Sequence, residues 1–198
     1  EALVYEHNAF PVPADMSDAE AAVFSIAYRT GYVALVIRGQ MKAGETLLVH
    51  GAAGGTGAAA IQLGKALGGR VIAVASGALK TQKCLGFGAD EVVDSSREDF
   101  VERVHALTGG VGVDLIYDPV GGDTFTRSLN CLNFGGRLLA IGFASGAWSD
   151  APTQDLVLNN RSVIGVLAVV PTLEMSQAVQ RELYALYAQG KISPHIES

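Results

Sequence analysis

From Thr46 onward, short apolar runs alternate with segments of helical period, and that alternation constrains the fold more than any other feature of the chain. The runs are Thr46 to His50, Arg70 to Ala75, Glu91 to Val93, Val113 to Tyr117, Gly136 to Ile141 and Ser162 to Val170. Helices are expected between them at Gly55 to Leu67, Leu79 to Leu85, Asp99 to Leu107 and Thr124 to Leu132, with a last one at Leu173 to Gln189. Runs that are apolar throughout, rather than alternately, predict strands buried on both faces. Helices between successive strands predict parallel pairing with right-handed crossovers. The expected fold class is α/β, a doubly wound parallel sheet with its ligand at the carboxyl ends of the strands.

The first 45 residues read differently. Leu3-Val4-Tyr5 has strand character but no evident partner, and Pro11-Val12-Pro13 is extended linker chemistry. Ser17 followed by Glu20 is a capping box, and a helix is expected through Ala21 to Val36, broken near Gly31.

Composition removes several function classes. Of 198 residues, 49% are apolar and 17% charged, and the net charge is −6. That is too apolar for a disordered chain and too acidic for a nucleic-acid binder with a broad basic face. No uninterrupted apolar run approaches the length of a membrane span, so no membrane partner is expected. The N-terminus has neither the basic start nor the apolar core of a signal peptide. Cys84 and Cys131 form no CxxC and read as buried free thiols, which fits a reducing, cytoplasmic compartment. His7, His50, His105 and His195 have no metal-ligand spacing, so no metal is expected, and only His50 falls near the loop described next. Ser25 and Ser145 lack the Gly-x-Ser-x-Gly elbow of a hydrolase.

Gly51-Ala52-Ala53-Gly54-Gly55-Thr56-Gly57 joins the first strand to the first helix of the βαβ unit. Set against G-x-G-x-x-G, its three positions are Ala52, Gly54 and Gly57, with Ala52 a departure. Gly54 lets a pyrophosphate approach the backbone, Gly57 lets helix and strand pack closely, and the helix start offers free N–H groups. A plain tight turn is the alternative, though the strand–loop–helix setting is the one a dinucleotide site of Rossmann type requires. NAD-specific sites place an acid at the end of the second strand. Here that end reads Ala75-Ser76-Gly77-Ala78-Leu79-Lys80, with no carboxylate in reach. Ser76 and Lys80 suit a 2′-phosphate, and hence NADPH; Lys80 also reads as a solvated helix residue. The missing acid tells against an S-adenosylmethionine methyltransferase.

Five blocks resemble the zinc-free quinone oxidoreductase (zeta-crystallin-like) branch of the medium-chain dehydrogenase/reductase superfamily. They are Gly44 to Gly57, Leu85 to Val93, Thr108 to Asp114, Tyr117 to Gly122 and Gly135 to Gly142. The resemblance implies a cofactor site built from Ala53, Gly54, Gly55, Thr56 and Gly57 at the phosphates. Around the nicotinamide it implies Thr30, then Asp118, Val120 and Gly121, then Gly142, Phe143, Ala144 and Ser145. At the 2′-phosphate it implies Ser76, Lys80 and Ser95, the last standing where the family carries an aromatic residue or His. It also implies that residues 1–15 are a remnant of a GroES-like catalytic domain with its linker, that residues 16–198 are the Rossmann domain, and that the catalytic domain is largely absent from this chain. The implied activity is hydride transfer from NADPH to a quinone or other conjugated carbonyl, with a homodimer formed through the strand near 162–170. No catalytic residue is visible. The alternatives are a zinc alcohol dehydrogenase or enoyl reductase of the same superfamily, and a non-catalytic nucleotide-binding module.

Overall fold

The computed structural model describes residues 9–196. The expected strand at Leu3 to Tyr5, most of the segment 1–15, and His7 lie outside the described residues. Six strands form one parallel sheet: β1 Thr46–Val49, β2 Arg70–Ala75, β3 Glu91–Asp94, β4 Val113–Asp118, β5 Leu132–Ala140 and β6 Ser162–Gly165, in the order β3-β2-β1-β4-β5-β6. The helices are α1 Asp18–Tyr32, α2 Gly55–Ala66, α3 Ala78–Gly86, α4 Phe100–Leu107, α5 Gly122–Ser128, α6 Thr153–Leu158 and α7 Leu173–Ala188. The order reverses between β1 and β4, the switch point at which a doubly wound sheet opens a crevice.

Side-chain alternation on the central strands separates two cores. Leu47 and Val49 of β1 face α1, α2 and α7, whereas Leu48 faces α4 and α5. Both faces of the central strands are covered by helices, which is why those strands read as apolar runs.

The capping box forms as expected: Glu20 N donates to Ser17 Oγ at 3.3 Å, and Ser17 N donates to Glu20 Oε2 at 2.9 Å. Gly31 does not break the helix. A Cβ there would stand 2.7 Å from Leu63 Cδ1, so the residue is small because α1 packs closely on α2. The helix instead widens into a π-helical segment, Val33–Arg38, closed by Gly39 N donating to Ala34 O at 2.7 Å. Counted together, Asp18–Arg38 is 21 residues and holds an 18-residue stretch of mean hydropathy 1.3, long and apolar enough by composition to cross a membrane. Run length alone missed this, because polar residues punctuate the helix. One face of it packs inside the protein, with Phe24 and Tyr28 in the core and the buried Arg29 donating to Ser176 Oγ of α7 at 2.9 Å, while Val23 and Ile26 on the other face are exposed.

Other boundaries shift for local reasons. The helix expected to end at Leu132 stops at Ser128 and passes through a 3₁₀ turn, Leu129–Cys131, into β5, which begins at Leu132 and is irregular in its pairing with β4. Helix α6 is short and buries no residue, so it leaves no periodic signal. Strand β6 ends at Gly165, not Val170. Val166 N still bonds Ala140 O at 2.9 Å, but Leu167 and Val169 are exposed.

Candidate functional site: a crevice at the strand ends

The loop after β1 turns at Gly51, whose φ of +58° suits glycine and strains other residues. The turn role expected of the first fingerprint position therefore falls to Gly51, and Ala52 is a buried core residue. At the third position the close packing expected of Gly57 is present. Gly54 caps α2 in an extended conformation without a side chain, and a Cβ on Gly57 would meet Gly51 O at 2.4 Å and Ala52 Cα at 2.7 Å. The first helical bond runs from Ala58 N to Gly54 O, which leaves the N–H groups of Gly55, Thr56 and Gly57 free of helical acceptors. A Cβ on Gly55 would meet nothing within 4 Å, so the approach to these donors is open. The fold thus builds an anion cradle at this helix start.

Beside it lies a cavity of about 490 Å³, within the usual range for small-molecule sites. It brings together Ala53 and Gly54 of the loop, Ser76 and Lys80 beyond β2, Ser95 beyond β3, and Val120 beyond β4. It also draws in His50, Phe100 and Thr124. Phe100 and Thr124 were not singled out in the sequence, since each sits in an ordinary helical pattern.

A carboxylate stands closer to this cavity than the sequence implied. Asp94, at the end of β3, accepts from Gly77 N at 2.8 Å, Ser96 N at 3.0 Å and Ser96 Oγ at 2.6 Å. These bonds, the Ser96 hydroxyl foremost, hold its carboxyl below the ordinary range. The end of β2 itself carries no carboxylate, but parallel pairing sets Asp94 opposite Ala75, which corrects the expectation of none in reach. Asp94-Ser95-Ser96 is an Asx-turn signature, which was the available signal. Asp94 is committed to backbone, Ser96 and an ion pair with Arg97 at 3.7 Å, and Ser95, not Asp94, lines the cavity.

The remaining expected residues form a second group. Asp118, 1% exposed, accepts from Val120 N at 2.8 Å and Gly121 N at 3.1 Å through Oδ1, while its buried Oδ2 has no partner. Burial holds its carboxyl above the ordinary value against the pull of those two donors. The loop 142–147 lies directly on this turn: Ala144 N bonds Pro119 O at 3.1 Å and Ser145 N bonds Val120 O at 2.9 Å. A Cβ on Gly121 would meet Phe143 Cα at 3.2 Å, so Gly142, Phe143, Ala144 and Ser145 pack against Asp118, Val120 and Gly121 as one unit. Tyr117 Oη is also buried and closes no hydrogen bond, although Thr56 is the polar group that acts on it. Thr30 is not brought into the cavity. It is buried in α1, and its hydroxyl donates to Ile26 O at 2.6 Å.

No group of three His, Cys, Asp or Glu that could hold a metal occurs among the described residues. Burial pushes the Cys84 thiol up to about 11 and the Cys131 thiol up to about 12, so both are poor thiolate ligands at neutral pH.

The family described as zinc-binding dehydrogenase matches residues 55–183. The quinone oxidoreductase-like protein 2 of Bos taurus is 35% identical over 99% of the chain and 57% of its own length. Quinone oxidoreductase 1 of Escherichia coli is 36% identical over 91% of the chain and 56% of its own length. The crystal structure of Escherichia coli quinone oxidoreductase complexed with NADPH superposes with a TM-score of 0.85 at 34% identity, covering 94% of this chain and 58% of that one. The chain thus spans a little over half the length of these relatives. The described residues assemble no site for the zinc in the family's description. With its strand order, its Gly51–Gly57 cradle and these matches together, the chain belongs to the zinc-binding dehydrogenase family, within the zinc-free quinone oxidoreductase branch of the medium-chain dehydrogenase/reductase superfamily.

Proposed function

We propose that this chain is the cofactor-binding part of an NADPH-dependent oxidoreductase that passes hydride to a quinone or another conjugated carbonyl. The observation that carries the reading is the crevice itself, where the start of α2 and the Ser76, Lys80 and Ser95 cluster border one cavity. The residues present fit a dinucleotide: a glycine cradle open at Gly55, three free helix N–H groups, and a buried unpartnered carboxylate oxygen on Asp118. The NADPH bound in the Escherichia coli structure supports the same choice.

In this reading Ala53, Gly54, Gly55, Thr56 and Gly57 hold the pyrophosphate by backbone N–H groups. Ser76, Lys80 and Ser95 hold the 2′-phosphate, with Lys80 supplying the charge. Asp118, Val120 and Gly121 with Gly142 to Ser145 shape the far end of the crevice, and Thr30 supports it from α1. The dinucleotide, when bound, supplies the hydride; the chain orients it and shields it from water. Residues 16–198 act as the nucleotide-binding domain, and residues 1–15 lead into it. The two free cysteines suit a cytoplasmic setting. The exposed edge of β6, with Leu167 and Val169 beside it, suits pairing with a second copy of the chain.

Calorimetric titration with NADPH, followed by stopped-flow oxidation of NADPH in the presence of 1,2-naphthoquinone, tests the reading. Saturable binding supports the cofactor assignment, and quinone-dependent oxidation supports the reaction. Absence of NADPH binding overturns both.

A further inference from the structure

Besides Asp118 Oδ2, the crevice offers a second acceptor that the described residues leave unused. His50 is 2% exposed and lines the cavity. Its Nε2 lies 2.7 Å from Ser128 Oγ, and that oxygen lies 2.5 Å from the Thr124 carbonyl oxygen. Two oxygens so close need a proton between them, and a carbonyl has none, so Ser128 donates to Thr124. A hydroxyl has no second proton. The proton between Ser128 and His50 therefore sits on Nε2 of the ring. Burial pushes His50 down to about 3, so the ring is neutral at neutral pH. A neutral imidazole protonated at Nε2 presents a bare lone pair at Nδ1. No described residue donates to that nitrogen.

Apart from Thr124, the wall beside His50 is apolar. Val74, Ala75 and Val120 line it, and the Phe100 ring meets the imidazole edge-on at 5.0 Å. The charged and polar parts of a dinucleotide are drawn elsewhere, the pyrophosphate to the start of α2 and the 2′-phosphate to Lys80. The adenosine ribose joins those two points, and the flat base that projects from its C1′, next to the 2′-phosphate, is the part an apolar wall admits. Adenine carries its N–H donors on an exocyclic amine, the complement of a lone pair in an apolar wall.

We propose that His50 Nδ1 accepts a hydrogen bond from the exocyclic amine of the bound adenine, so that His50 reads the base of the cofactor. The proposal rests on the dinucleotide reading above. It also explains why a polar ring is kept at the end of β1 and locked in one tautomer: only the tautomer protonated at Nε2 turns an acceptor to the crevice.

The test compares NADPH with nicotinamide hypoxanthine dinucleotide phosphate, in which a carbonyl oxygen replaces the amine. The native chain should bind NADPH about 5- to 10-fold more tightly, the worth of one neutral hydrogen bond. His50→Phe should bind the two equally. A second readout needs no variant. The ¹⁵N chemical shift of His50 Nδ1 should be that of a bare imine nitrogen in the free protein and should move on adding NADPH, but not on adding the hypoxanthine analogue. Equal affinities in the native chain, or an Nδ1 shift indifferent to NADPH, overturn the proposal while leaving the dinucleotide reading standing. If neither compound binds, the dinucleotide reading itself fails, and this proposal with it.

Discussion

Asp94 Oδ1 accepts a hydrogen bond from Gly77 N at 2.8 Å, which ties the end of β3 to the loop that follows β2. Ser76 and Ser95, the two small residues of the proposed 2′-phosphate site, flank that bond. Asp94→Ala should therefore lower the NADPH to NADH affinity ratio without removing any residue that lines the cavity. The pH dependence has a definite sign. The folded carboxyl titrates below its ordinary 3.8, so its contribution to stability is complete above that value and lost as the pH falls through the folded one. The melting-temperature gap between the native chain and Asp94→Asn should be full at pH 6 to 7 and shrink below about pH 4. Thermal scans across that range check it, and a gap constant with pH would deny the carboxylate its role.

Gly57 and Gly55 should respond oppositely to alanine. At Gly57 the new methyl meets backbone atoms at 2.4 and 2.7 Å, which have no flexible end to yield. A loss of about 1–3 kcal/mol or more is expected from overpacking. At Gly55 it meets nothing, and stability should hold or rise by up to about 1 kcal/mol. Urea unfolding separates the two.

His50 should set an acid limb of stability. Its folded value, about 3, lies below its unfolded 6.5. The unfolded chain thus takes up a proton that the folded chain refuses, and stability declines as the pH falls through that window. Between pH 7 and pH 5 this removes about 2 kcal/mol. His50→Gln should flatten that part of the profile, as urea unfolding at both pH values would show.

Lys80→Ala should weaken NADPH binding by about 10- to 100-fold, the range of one charge-assisted bond, and leave NADH nearly unchanged. Ser95, an uncharged hydroxyl, favours the lower end. Ser76→Asp should reverse the preference by repelling the phosphate. Equal losses for both dinucleotides in Lys80→Ala would mark the residue as a surface lysine.

Pairing through β6 has a directional test. Val166 N bonds β5, so by alternation Ile164 also faces β5, and Val163 faces the free edge. Val163→Pro should leave the sheet intact and convert a dimer to a monomer in sedimentation. A native chain that sediments as a monomer would remove the dimer.

Much of this architecture was legible in the sequence because apolar runs and helix caps are local signals. Arg70 to Ala75 reads as a strand on its own, and Ser17 and Glu20 announce α1 without reference to anything distant. The departures were relational. Gly31 looked like a break because its purpose, contact with Leu63, lies on another helix. Asp94 gives no local sign of its place, because its neighbour Gly77 is close only once β2 and β3 pair. The bare nitrogen of His50 is invisible until Ser128 and Thr124 fix its tautomer.

The widened turn at Val33–Arg38 makes the chain sensitive to length at that point. An extra residue is held there by the bond from Gly39 N to Ala34 O. Deleting a single residue from this turn would restore an ordinary helix and rotate everything upstream by about 100° relative to β1. Gly31 would swing away from Leu63, and Arg29 would leave Ser176. Insertions and deletions tolerated in the loop before Thr46 should therefore be lethal to folding eight or ten residues earlier, where the sequence itself carries no visible mark of the constraint.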